Sequence, residues 1–163
     1  MISQTTEYAL RAVVYLAQHA EESWTTKQIA AATRVPAGYL SKVLQGLSRA
    51  GLISSQRGRH GGFQLAGDPE KLTVLEVVNA VEPIRRITRC PLNLSSHGGE
   101  LCPLHKALDE TIGQVEKMFG EKKVADLLGK ADTVEPLCDS PGGLQFSGRK
   151  TKMTVSAGKM TRR

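Results

Sequence analysis

Pro36 and Gly51 bracket the stretch AGYLSKVLQGLSRA, and what flanks this bracket narrows the fold more than any other feature of the chain. Proline has no amide proton to donate, and its ring clashes with a preceding helical turn, so Val35-Pro36 reads as a turn. Inside the bracket Leu40, Val43, Leu44 and Leu47 recur at helical spacing and predict a helix with one apolar stripe. Gly51 ends it. Upstream, Thr25 or Thr26 can cap a short helix over KQIAAAT that closes near Arg34. Downstream, LISSQRGRHGGFQLA predicts two short strands, at about 52–55 and 62–65, around a turn rich in Gly and Arg. Short helix, turn, helix, hairpin is the order of a winged helix-turn-helix.

The rest of the chain extends that unit. Residues 3–20 predict a helix from Ala9, Val13, Leu16 and Ala17, with Leu10 and Val14 widening the stripe. TVLEVVNAVE at 73–82 predicts another, ended by Pro83. Residues 84–101 read as irregular. A last long helix is expected over 103–119, continuing after a break into 121–129. The expected class is therefore mainly α with a small β-hairpin wing: a winged helix-turn-helix plus a long dimerisation helix. It divides into a DNA-binding domain at 1–82, a cysteine-bearing loop at 83–102, a dimerisation helix at 103–129 and a disordered basic tail at 130–163.

Charge sharpens this outline. The chain carries a net charge of +6, unevenly distributed. Residues 23–67 hold six bases (Lys27, Arg34, Lys42, Arg49, Arg57 and Arg59) and no acid; residues 140–163 hold another six bases and no acid. The first block is an electrostatic footprint for phosphate, because each neutralised phosphate releases condensed counterions. On the bracketed helix Gly38, Tyr39, Ser41, Lys42 and Gln45 fall away from the leucine stripe, where they can meet base edges or phosphates. Lys27 adds a cation on the preceding helix. In the turn of the hairpin Arg57, Arg59 and His60 sit among glycines, a shape that enters a narrow minor groove and reads its negative potential. Double-stranded DNA is the expected partner. A winged helix used for protein–protein contact and a redox enzyme carrying a cluster are the alternative classes. The basic wing argues against the first, and the absence of a recognisable catalytic constellation against the second.

No apolar run reaches the roughly 20 residues that span a bilayer, and the N-terminus lacks the basic region of a signal peptide. A cytoplasmic protein without membrane contact is expected. In that compartment three cysteines read as thiols or metal ligands rather than structural disulfides. Cys90 and Cys102 share one loop. Arg85, Arg86 and Arg89 precede Cys90, and a helix begins at Cys102; both settings favour a thiolate. A reversible thiol pair, a zinc site, an iron–sulfur cluster and an inert loop are all compatible with this pattern. Cys138 stands apart in the tail.

The strings EYALRAVVYLA, VPAGYLSKVLQGLSRAGLI, RGRHGGFQLA and LTVLEVVNAVE resemble the Rrf2 family of winged-helix transcription regulators, over about residues 1–128. The resemblance implies a repressor that binds a palindromic operator as a homodimer, with a long helix from each subunit crossing at the interface. Leu101, Leu104, Leu108, Ile112, Val115 and Phe119, at intervals of 3, 4, 4, 3 and 4, supply a seam for such a crossing. It further implies an iron–sulfur cluster in the loop, read there as sensing redox, nitric oxide or iron status. Family members commonly offer three cysteines in the loop; this chain has Cys90 and Cys102, with Ser96 at the middle position. Serine is a poor substitute for a soft thiolate. His97 stands beside it, His105 follows Cys102 at a spacing the family also uses, and Glu7 matches an acid that nitric-oxide-sensing members contribute from the other subunit. Two thiolates with two other donors favour a [2Fe-2S] cluster. A cluster-free thiol switch is the alternative within the same family.

Overall fold

The computed structural model describes residues 2–58, 61–92, 100–129 and 136–137. Its elements begin where the sequence supplies a cap. The Ser3 hydroxyl accepts the Thr6 amide at 3.2 Å and opens α1, Gln4–Gln18. Thr25 and Gln28 bond each other's backbone in a reciprocal capping box at the head of α2, Thr26–Thr33. Each cap satisfies amide donors that a helix end leaves unpaired. Arg34 then takes a left-handed conformation (φ 57°), and the chain turns through Pro36 into α3, Ala37–Arg49. The α3 stripe predicted from the sequence is the buried one: Leu40, Leu44 and Leu47 are 0% exposed and Val43 1%.

Strands β1, Ile53–Gln56, and β2, Gly62–Leu65, pair antiparallel with Ile53 opposite Leu65 and Gln56 opposite Gly62. A third segment joins them. Trp24 and Phe63 exchange backbone bonds, Trp24 N–H to Phe63 at 2.9 Å and Phe63 N–H to Trp24 at 2.8 Å. Glycine is required beside this bridge, since a Cβ at Gly62 would lie 2.7 Å from the Trp24 carbonyl. The hairpin is thus stitched to the loop before α2, with Trp24 buried beneath it at 1% exposure.

A second capping box, Thr73 with Glu76, opens α4, Val74–Val81. Helix α1 lies at the centre and packs against α2, α3 and α4. Its Ala9, Ala12, Val13 and Leu16 are fully buried. Beside them burial pushes the Tyr15 phenol up to about 12, with Glu22 adding to the shift. The chain then runs without regular structure from Pro83 to Leu92, with the Ile84 amide bonded to Asn79 Oδ1 at 2.9 Å. The last helix, α5, spans Pro103–Glu121, with Cys102 as its N-cap residue and proline in its first turn.

One expectation fails after α5. The chain does not resume a helix over 121–129. Lys122 is extended, and the strand-like piece that follows bonds back to the start of α4, Val74 N–H to Lys122 at 2.9 Å and Val124 N–H to Leu72 at 2.8 Å. Only then does a single 3-10 turn form, Ala125–Leu127. Long-range pairing satisfies the backbone that a helix would have satisfied locally, and it buries Val124 completely.

Candidate nucleic-acid interface and metal centre

Helix α3 presents two faces. Behind the core stripe, Gly38, Tyr39, Lys42 and Gln45 are exposed and Ser41 is half-buried. Ser41 returns its hydroxyl to the Ala37 carbonyl at 3.0 Å. Tyr39 is 43% exposed but already engaged: its ring meets Tyr8 edge to face, centroids 5.5 Å apart, and its hydroxyl lies 2.8 Å from the Thr5 hydroxyl. It ties the first turn of α3 to the first turn of α1. Lys27 on α2 is exposed, as is Arg57 at the mouth of the hairpin. Gly58, at φ 115°, turns the chain where a side chain would be strained. Arg59 and His60 lie outside the described residues. A groove of about 580 Å³ runs between α3, α4 and the head of α1. Lys42 and Arg49, two bases of the acid-free block, line it.

The other site forms where the irregular segment meets α5. Donor atoms of Cys90, Cys102 and His105 all lie within 4.8 Å of one another. His105 Nδ1 is 3.2 Å from the Cys102 sulfur and 3.6 Å from the Cys90 sulfur. Both cysteines are partly buried and outside any disulfide. Local sequence explains two of the three positions. Cys102 caps α5 and His105 stands in its first turn, so the spacing C-x-x-H puts both at one helix end. Glu7, expected as a ligand from a second subunit, is not in this group within one chain. Its carboxylate accepts the Arg11 Nε–H at 2.7 Å one turn along α1. His97 and Ser96 lie outside the described residues.

The profile of the Rrf2 family, described as iron-dependent transcriptional regulators, matches residues 2–130. The chain belongs to the Rrf2 family. It is a DNA-binding transcriptional regulator and not an enzyme. It is 34% identical over 133 residues to the transcriptional regulator NsrR of Geobacillus kaustophilus, a match covering 78% of this chain and 88% of that protein. Among solved structures it is similar to IscR of T. potens, with a TM-score of 0.66 and 23% identity over 83% of this chain and 93% of that one. CymR of Staphylococcus aureus superposes with a TM-score of 0.63 and 25% identity, covering 80% of this chain and all of that one.

Two features of this Rrf2-family chain have no signal in its sequence. One is the Tyr39–Thr5 tie. The other is an ion pair across the loop: Arg86 meets Asp109 on α5 at 2.6 Å. Arg86 holds the Asp109 carboxyl below its ordinary range, and the Ile87 amide adds to the effect. By sequence Arg86 is only a cation near Cys90. Its partner lies 23 residues away and could not be assigned from spacing.

Proposed function

We propose that this regulator is a homodimeric repressor of palindromic operators whose DNA affinity is set by an iron–sulfur cluster held at Cys90, Cys102 and His105. The gathering of these three side chains from two parts of the chain is the observation that carries the reading. The donor set fits. Two sulfurs and one imidazole nitrogen, all within 4.8 Å of one another, suit a thiolate-bound cluster or zinc, either of which takes a fourth ligand. Glu7 of a second subunit or His97 would complete it, and two thiolates with two other donors favour [2Fe-2S] over a four-iron cluster. Such a cluster, when bound, supplies a centre whose charge and integrity follow redox state, nitric oxide or iron supply.

The chain's own residues do the rest. Cys102 sits at the N-terminus of α5, one helical turn before His105. Cys90 lies on a segment that leaves α4, so holding Cys90 against α5 couples α5 to the DNA-binding unit. Lys27, Gly38, Tyr39, Ser41, Lys42, Gln45 and Arg57, with Arg59 and His60, form the proposed DNA contacts. Dimerisation through α5 is supported by its bare surface. None of its residues is buried, and Leu104 is 63% and Leu108 47% exposed along the apolar seam. Two α5 helices packed seam to seam would fix the separation of two α3 helices, and with it the half-site spacing.

Anaerobic purification tests the reading. The expected protein is coloured, carries iron and sulfide, and loses its visible spectrum in Cys90→Ala and Cys102→Ala but not in Cys138→Ala. A preparation that stays colourless after reconstitution with iron and sulfide, yet binds DNA, overturns the cluster. It would favour the second reading, a thiol switch, for which the two sulfurs, no more than 4.8 Å apart, are already close.

A further inference from the structure

Arg86 leaves the irregular segment 83–92 and lays its guanidinium across α5. Its Nε and Nη2 donate to the two Asp109 oxygens at 2.8 and 2.6 Å. The same Oδ1 accepts the Ile87 amide at 2.8 Å. Nη1 stands 3.6 Å from Glu116, one side of the same crossing. Gly113 leaves the helix bare where the guanidinium passes: a Cβ there would fall 3.0 Å from Arg86 Cζ and Nη1, close enough that the guanidinium would have to shift. A carboxylate, a glycine and a second carboxylate thus form a bed on α5 shaped to one guanidinium.

The bed's position matters more than its strength. Exposed ion pairs contribute little to stability, and the Arg86 side chain is 43% exposed. A two-pronged arginine–carboxylate contact nevertheless fixes geometry. Asp109 lies one helical turn beyond His105 on the same face, and Arg86 lies four residues before Cys90. Segment 83–92 has neither helix nor strand, and its backbone is held at Ile84 by Asn79 and at Ile87 by Asp109.

We propose that Arg86 and Asp109 are positioning residues of the metal site: their contact, admitted by Gly113, straps segment 83–92 onto α5 and holds the Cys90 sulfur beside Cys102 and His105. This inference rests on the metal-site reading above. The strap acts as second-sphere contacts do in metal proteins, by orienting a ligand rather than by touching the metal.

Two measurements on the full-length protein, in a Cys138→Ala background, test it. Reduced, metal-free protein is titrated with cobalt(II), followed by the thiolate-to-cobalt charge-transfer band. Separately, diamide takes two electrons and two protons from the thiol pair, and the rate of Cys90–Cys102 disulfide formation is read. Arg86→Gln and Asp109→Asn are each expected to weaken cobalt binding about 10- to 100-fold and to slow disulfide formation. The double variant should be little worse than the more affected single one, because both remove one contact. Gly113→Ala separates the strap from bulk stability. Alanine favours the helix, so its melting temperature should hold or rise while cobalt binding weakens. Wild-type cobalt affinity and disulfide rate in both single variants overturn the strap, as does simple additivity in the double. If the wild type takes up neither cobalt nor an iron–sulfur cluster, the metal reading fails, and the disulfide rates still decide the strap.

Discussion

Glu76 shows how a single side chain serves this fold. Its carboxylate accepts both the amide and the hydroxyl of Thr73, at 2.8 and 2.7 Å. These bonds, the backbone one foremost, hold its carboxyl below the ordinary 4.5. A carboxyl depressed on folding stabilises the native state above its unfolded value, and that contribution is lost as pH falls through the folded one. The melting temperature should therefore drop more steeply below about pH 4.5 in the wild type than in Glu76→Gln, which keeps an oxygen in the box but does not titrate. Parallel curves would remove the capping carboxylate from the acid response. At the wing, Arg57→Ala should weaken operator binding by about 1–3 kcal/mol or, if Arg57 meets only phosphate, lower the salt slope by about 1. A mobility-shift titration at several salt concentrations separates the two, and no change in either would exclude Arg57 from the interface.

At the scale of elements, α5 packs on α4 but leaves its apolar seam only partly covered: Leu104 and Leu108 are exposed, and Ile112, Val115 and Phe119 are half-buried. Leu108→Asp leaves the described core untouched, since Leu108 is 47% exposed, but it would bury an unpaired carboxylate in a dimer seam. Sedimentation should show a dimer for the wild type and a folded monomer for the variant. A folded wild-type monomer at micromolar concentration would remove α5 as an interface. The elements also show what the sequence can disclose. Thr25 announces the start of α2 because a cap is a local bond between near neighbours; Ser3 and Thr73 cap α1 and α4 in the same local way, and Pro36 and the wing glycines act just as locally. Val124, Leu127 and Leu128 sit at helical spacing and mislead, because the backbone around Val124 is claimed by Leu72 and Val74, some fifty residues earlier. The site divides the same way: Cys102 and His105 are joined by one helical turn, whereas Arg86–Asp109 and Tyr39–Thr5 are tertiary pairs without a periodic signature.

For the whole molecule the distribution of charge sets the expected physics. Residues 140–163 contribute six bases and no acid. Their removal should flatten the salt dependence of nonspecific DNA binding, because fewer counterions are released per complex. Binding slopes for the full chain and for a chain ending at Asp139 test this, and equal slopes would mean that the tail does not touch DNA. Specific binding should depend instead on two half-sites. A single half-site should bind the dimer far more weakly than the palindrome, and changing the half-site spacing by half a helical turn should abolish the difference.

The bridge between Trp24 and Phe63 has a further, optical consequence. Trp24 is the chain's single tryptophan. Its ring stands 5.2 Å from Tyr15 and 5.1 Å from His19, while its backbone is hydrogen-bonded to β2. Any distortion of the wing pulls on the one indole fluorophore in the molecule. Operator binding at the hairpin is therefore expected to change the intensity or wavelength of intrinsic emission without any label, in the full chain and in the chain ending at Asp139 alike.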